Sequence, residues 1–187
     1  MQLDLAAQTK NGIENYNFLS SHDAYVWMPV VHHVSKKGIY TEMRYNYEAL
    51  KTASVYLGKS FSKNKTLSYT VTPMIGMVFG DYNGGSLAAN IDVEHKKTFV
   101  SMQTQYTMNR NNTSENFFFN WTELAYQPLK WVYAGVSMQQ TKTYKTNFQS
   151  EYGVLVGFLV HKFTIPIYVF NPLSNNKNFI IGVNAEW

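Results

Sequence analysis

Five carboxylates and one guanidinium have the types and spacing to do ionic chemistry together: Glu42, Asp92, Glu94, Glu123 and Glu186, with Arg44 two residues from the first. Each lies on the polar side of a segment of alternating hydrophobicity, and the carboxylates fall within about four residues of a turn or terminus. If those segments close around a common interior, the cluster forms a constriction that selects cations, or a salt-bridged plug. In a third arrangement Arg44 satisfies two carboxylates, water satisfies the rest, and the groups simply fill a polar interior. A plug or filling is preferred to a conducting filter.

Other reactive side chains point to less. Ser20-Ser21-His22-Asp23 holds the residue types of a hydrolytic triad, but neighbours in a chain cannot converge as a triad must, so the run reads as loop. His32 and His33 are metal-ligand types, yet adjacent residues of a strand face opposite ways, which leaves an interfacial role. His95 and His161 sit beside turn lysines and read as interfacial residues or lipid-phosphate contacts. With no cysteine, a disulfide framework and a thiolate metal or redox site are both excluded. The expectation is a protein with no catalytic residues, no cofactor and no metal.

The elements that would position the cluster are strands. Ile39, Thr41, Met43, Tyr45 and Tyr47 alternate with Tyr40, Glu42, Arg44, Asn46 and Glu48, so every charge falls on one side. The same two-residue period runs through 52–61, 67–75, 87–94, 100–108, 117–127, 131–140, 149–160, 163–170 and 178–187. Residues 2–8 read as a short strand, 11–23 as a polar loop, and 24–34 as a strand strained by Pro29. Short turns with lysine recur near 36, 64, 96, 130 and 162. Between them lie longer loops, near 50, 83, 112, 145 and 174, rich in Asn, Gly, Ser and Thr. The chain is therefore a meander of antiparallel hairpins, with twelve strands as the count and ten as the alternative.

Composition decides which face is enclosed. A solvated outer face carries lysine, but of the fourteen lysines only Lys59 reads as lying plainly within a strand. The polar face is instead Ser, Thr, Gln, Asn, Tyr and Gly, the composition of a lumen. The 14 Tyr, 12 Phe and 4 Trp suit a surface that is apolar at one level and wet at the next. A net charge of +4 raises nucleic acid as a partner, but two unclustered arginines argue against it. The longest apolar run, Tyr152 to Val160, is too short for a membrane helix, which needs about twenty residues. Strands of about ten residues, rising roughly 33 Å and tilted by about 40°, span about 25 Å of apolar belt. Closure is then obligatory, because an open edge in lipid leaves backbone groups unpaired. The expected fold is one domain, 1–187: an all-β, transmembrane, antiparallel up-and-down β-barrel.

The last strand adds a resemblance. Phe179, Ile181, Val183 and Ala185 share an apolar face that ends on Trp187, and this segment resembles the insertion-signal strand of bacterial outer-membrane barrels. With the strand pattern and the turn asymmetry, the whole chain resembles small outer-membrane β-barrels of Gram-negative bacteria, and residues 40–48 are similar to uncharacterised Bacteroidota barrels. The resemblance implies a bacterial outer-membrane location with periplasmic termini. The start shows no charged region followed by an apolar run, so any export signal is expected to have been removed or replaced by Met1. The resemblance also implies Phe179, Ile181, Val183 and Trp187 as an assembly signal read by the barrel-assembly machinery. Partners would be outer-membrane lipid and other envelope proteins. Outer-membrane phospholipases, lipid A deacylases and omptin-type proteases carry Ser, His and acid at local spacings that are missing here, so no enzyme is expected. The first expectation is a membrane-embedded scaffold or complex subunit with a polar, largely plugged lumen. A small passive pore for ions or polar solutes is second, and a soluble all-β binding protein third.

Overall fold

A computed structural model describes residues 9–20 and 24–187. Its strands are β1 (Lys10–Ser20), β2 (Val26–Val34), β3 (Ile39–Tyr45), β4 (Thr52–Lys59), β5 (Phe61–Lys63), β6 (Ser68–Gly80) and β7 (Gly84–His95). They continue as β8 (Thr98–Asn109), β9 (Phe117–Leu129), β10 (Val132–Thr143), β11 (Gln149–Val160), β12 (Phe163–Phe170) and β13 (Asn178–Glu186). Sequence neighbours pair antiparallel except β4 and β5, which lie end to end along β6, and β1 pairs with β13, so the ring closes. Thirteen segments thus make twelve staves of a closed up-and-down barrel.

Prolines explain the interruptions. Gly58 pairs with Met74 and Phe61 with Val71 in one unbroken register, but the ladder lapses between them opposite Pro73, which has no N–H to give. Ser60 and Thr72 bond through their hydroxyls there, at 2.9 Å. The β12–β13 ladder likewise skips from Thr164–Asn184 to Ile167–Ile181 around Pro166. At Pro29 the β2–β3 ladder ends, with Val30–Arg44 its last pair, and the Asn46 amide donates to the Trp27 carbonyl (3.0 Å) beyond it.

One expectation needs correction. Residues 11–20 are not loop but most of β1, the stave that closes the barrel against β13. Asn11, Asn15 and Asn17 make the segment read as turn. In the sheet, partners on both sides satisfy its backbone, and the Asn17 amide donates to the Ile181 carbonyl (3.2 Å). The strand expected at 2–8, and residues 21–23 of the Ser-His-Asp run, lie outside the described residues. Lysine is also less confined to turns than expected, because Lys10, Lys63 and Lys142 are strand residues too.

The outer surface is sorted by height. Exposed aliphatic and Met side chains such as Val31, Met43, Leu57, Ile75, Leu124, Val136 and Val156 occupy the middle of their staves. Exposed aromatic rings occupy the ends: Trp27, Tyr45, Phe79, Tyr106 and Tyr152 toward the long loops, and Phe61, Tyr69, Tyr126, Trp131, Phe163 and Trp187 toward the short turns. No helix among the described residues is long and apolar enough to cross a membrane, and the barrel's crossing elements are strands.

Candidate functional site

Alternation puts Glu14, Tyr16, His32, Tyr40, Glu42, Arg44, Gln103, Gln105, Trp121, Glu123, Tyr168 and Glu186 on the inner wall. A large cavity of about 1460 Å³ enters this interior and includes residues of four of the short turns, near 36, 96, 130 and 162, among its lining. Lys36 and Lys37, Lys96 and Lys97, Lys130 and Lys162 come from those turns, with Lys10 beside them at the start of β1. Farther along the staves the wall turns acidic with Glu14, Asp92 and Glu123, and the inner rings Tyr16, Tyr40, Trp121 and Tyr168 are the last wall residues toward the long loops.

Beyond those rings the lumen is crossed by direct contacts. Arg44 Nε donates to Glu42 Oε1 (2.5 Å), and its Nη1 donates to Glu48 Oε1 (3.3 Å) and to Gln105 Oε1 (2.7 Å). Gln105 is on β8, four staves from β3. Tyr47 donates its hydroxyl to Gln103 and meets Phe119 edge-on at 6.0 Å. Across the other diameter, Tyr16 of β1 packs on Trp121 of β9, centroids 5.4 Å apart and five staves distant around the ring. Trp121 continues onto Tyr168 and Phe170 and donates its indole N–H to Ser137 Oγ (2.8 Å). Leu155 and Ile180 complete this apolar cluster. Together these side chains bring opposite walls of the barrel into contact between the cavity and the long-loop end.

The polar side of these contacts is built by the 46–51 loop, which folds inward. Asn46 and Lys51 take left-handed backbone conformations (φ 56° and 52°), and the Asn46 side chain accepts from the Lys51 N–H at 2.7 Å. This drives Glu48 into the lumen with a fully buried side chain, where it accepts from Arg44, Ser54 and Tyr56. The guanidinium carbon lies 4.5 Å and 4.4 Å from the Tyr47 and Tyr56 ring centroids, so the cation is held from its faces as well as its edges. Nearer the long loops, Tyr82 is buried, with its hydroxyl 3.3 Å from the Thr107 and Glu115 carbonyls. Burial pushes that phenol up to about 12.

The six charged residues read from the sequence separate into two groups. Glu42 and Arg44 belong to these cross-lumen contacts, while Asp92, Glu94, Glu123 and Glu186 line the cavity. Asp92 accepts from Ser101 at 2.9 Å. Glu186 lies 4.0 Å from His32, whose other ring nitrogen is 3.5 Å from Glu14. The imidazole lies close against Gly12, where a Cβ would fall 2.2 Å from it. His33 faces outward and meets Asn11 at 2.8 Å, so the two histidines do point apart. Among the described residues no His, Asp and Glu group is arranged to hold a metal. Sequence reasoning missed Glu14, Tyr16 and the lumen role of Trp121. Tyr16 and Glu14 fell in the misread loop, and the register of the aromatic run at 117–121 is ambiguous by alternation alone. Phe179 and Val183 face outward, and Trp187 exchanges backbone hydrogen bonds with Asn11 at 2.8 Å and 3.0 Å.

No protein-family model matches the chain, and no curated protein does. Solved structures do match. The KdgM porin in complex with disordered oligogalacturonate aligns over 93% of this chain and 98% of its own, with a TM-score of 0.69 at 13% identity. The NanC porin in a rhombohedral crystal form aligns over 94% and 98%, with a TM-score of 0.66 at 12% identity. At this identity the likeness is one of fold, the closed antiparallel barrel of porins. It supports neither a Bacteroidota origin nor a particular subfamily.

Proposed function

We propose that this chain is a porin-like barrel of the outer membrane, a non-enzymatic passive channel for ions or small polar solutes that a partition made of these contacts holds shut at rest. The membrane assignment is supported by the outer face, an aliphatic belt between two aromatic girdles with no open sheet edge. The short turns and the chain ends face the periplasm in this reading, and the long loops face outward. The observation that carries the channel is the cavity of about 1460 Å³ that ends on a barrier of individual side chains and one short loop. Rotation of a few side chains would join the cavity to the far end.

The second reading is a scaffold or complex subunit with a permanently plugged lumen, favoured by the burial of Arg44, Glu42 and Glu48. One experiment separates them: single-channel recording in planar bilayers for the native barrel and for Tyr16→Ala/Trp121→Ala. A closable channel shows brief native openings that become long-lived in the double variant. Silence from both supports the scaffold, and steady native conductance removes the partition as a barrier.

A further inference from the structure

The outward face of the barrel carries one charge at its long-loop rim. Among the described residues, Lys142 on β10 is the only charged side chain on the outer face in the long-loop half of any stave. The corresponding outward positions on other staves are residues such as Trp27, Tyr45, Phe79, Tyr106 and Phe179. No carboxylate shares this outer face on β8–β11, since Glu123 and Glu151 point inward. Lys142 is instead framed by rings. Its ammonium lies 5.0 Å from the centroid of Phe148, Phe148 meets Phe118 edge-on at 6.0 Å, and Phe118 is the cross-strand neighbour of Lys142. In the adjoining loop the Lys145 ammonium stands 5.2 Å from the Tyr144 centroid. On the other side of Lys142, the Gln140 amide bonds to Ser150 (3.3 Å), giving a polar pair on the same outer face.

We infer that Lys142 and Lys145 bind the phosphate of an anionic lipid in the leaflet at the long-loop end, with Phe118 and Phe148 packed against its first acyl carbons. The inference rests on the membrane placement above. An ammonium at the edge of an apolar belt finds its counter-charge in water or in a headgroup, and a second cation from the loop makes the pair specific for an anion. The rings fix the long stem of Lys142, so less side-chain freedom is lost when the phosphate arrives.

The test is native mass spectrometry of barrels released from phosphatidylcholine nanodiscs doped with phosphatidylglycerol. Incorporation into undoped nanodiscs checks the membrane placement separately. Retention of phosphatidylglycerol is expected to fall about fivefold for Lys142→Gln and roughly twentyfold for Lys142→Gln/Lys145→Gln. Lys59→Gln/Lys63→Gln, at the opposite end of the outer face, is expected to leave it unchanged. Equal retention by native and Lys142→Gln/Lys145→Gln barrels would overturn the site. So would an equal loss in the Lys59/Lys63 variant, which would mean diffuse charge attraction. Displacement of the lipid by inorganic phosphate would also overturn it, by assigning the pair to a free anion.

Discussion

The two sides of the proposed partition bridge the same lumen by opposite means. On one side Tyr16, Trp121, Tyr168, Phe170, Leu155 and Ile180 exclude water by packing, with a single indole hydrogen bond to fix the central ring. On the other, one guanidinium is shared among Glu42, Glu48 and Gln105 and sandwiched between two tyrosine rings. An apolar contact loosens gradually as its surfaces part, whereas a buried ion pair fails abruptly once one partner is gone. The aromatic side is thus a wall and the Arg44 side a latch.

The largest effect is expected at the wall. Trp121→Ala removes the ring on which Tyr16, Tyr168 and Phe170 converge and should cost about 4 kcal/mol of stability, read by urea unfolding from lipid vesicles. Lasting conductance should accompany it. A loss as small as that of a surface substitution would mean that the lumen refills and the wall is not a packed unit. At the latch, Arg44→Met strands two buried carboxylates and should cost about 3 kcal/mol. Adding Glu42→Gln and Glu48→Gln should restore most of it, and no restoration would show that Arg44 acts through its packing instead.

Gln105→Leu removes the Arg44 bond that carries the latch across the lumen, together with a long contact to Thr107 Oγ1 at 3.5 Å. It should cost about 2 kcal/mol and increase the frequency of channel openings without prolonging each one. An unchanged opening frequency would leave the wall as the sole barrier. The smallest expected equilibrium effect lies outside both sides: deleting Trp187 removes its two backbone bonds to Asn11, worth about 1–2 kcal/mol together. If the last strand is also the assembly signal, insertion assisted by the barrel-assembly machinery slows far more than that figure implies. Glu186→Gln should leave insertion untouched.

Much of the barrel was legible in the sequence, because alternation with period two is a local property. Ile39–Tyr45 and Asn178–Glu186 show their inner and outer faces without any partner, and the contrast of lysine turns with Asn and Gly loops orders the hairpins. The polar inner face of β3 likewise announced that Glu42 and Arg44 would be enclosed together. β1 escaped because Asn15 and Asn17 are turn formers by themselves, and only pairing with β2 and β13 makes them strand.

The filling of the lumen was beyond any local pattern. That Arg44 reaches Gln105, and Tyr16 reaches Trp121, depends on which staves face each other across a closed ring, between residues about sixty and one hundred positions apart. Glu48 alternates in sequence as a further lumen residue of the strand, but left-handed Asn46 ends that strand at Tyr45, and the loop that runs to left-handed Lys51 turns the carboxylate onto Arg44. Sequence by itself determined a closed barrel with a polar interior, since hydrophobic period and turn chemistry act over a few residues. Only the tertiary structure decided which inner side chains meet across that interior beyond the cavity, because contacts across the ring exist only once it has closed.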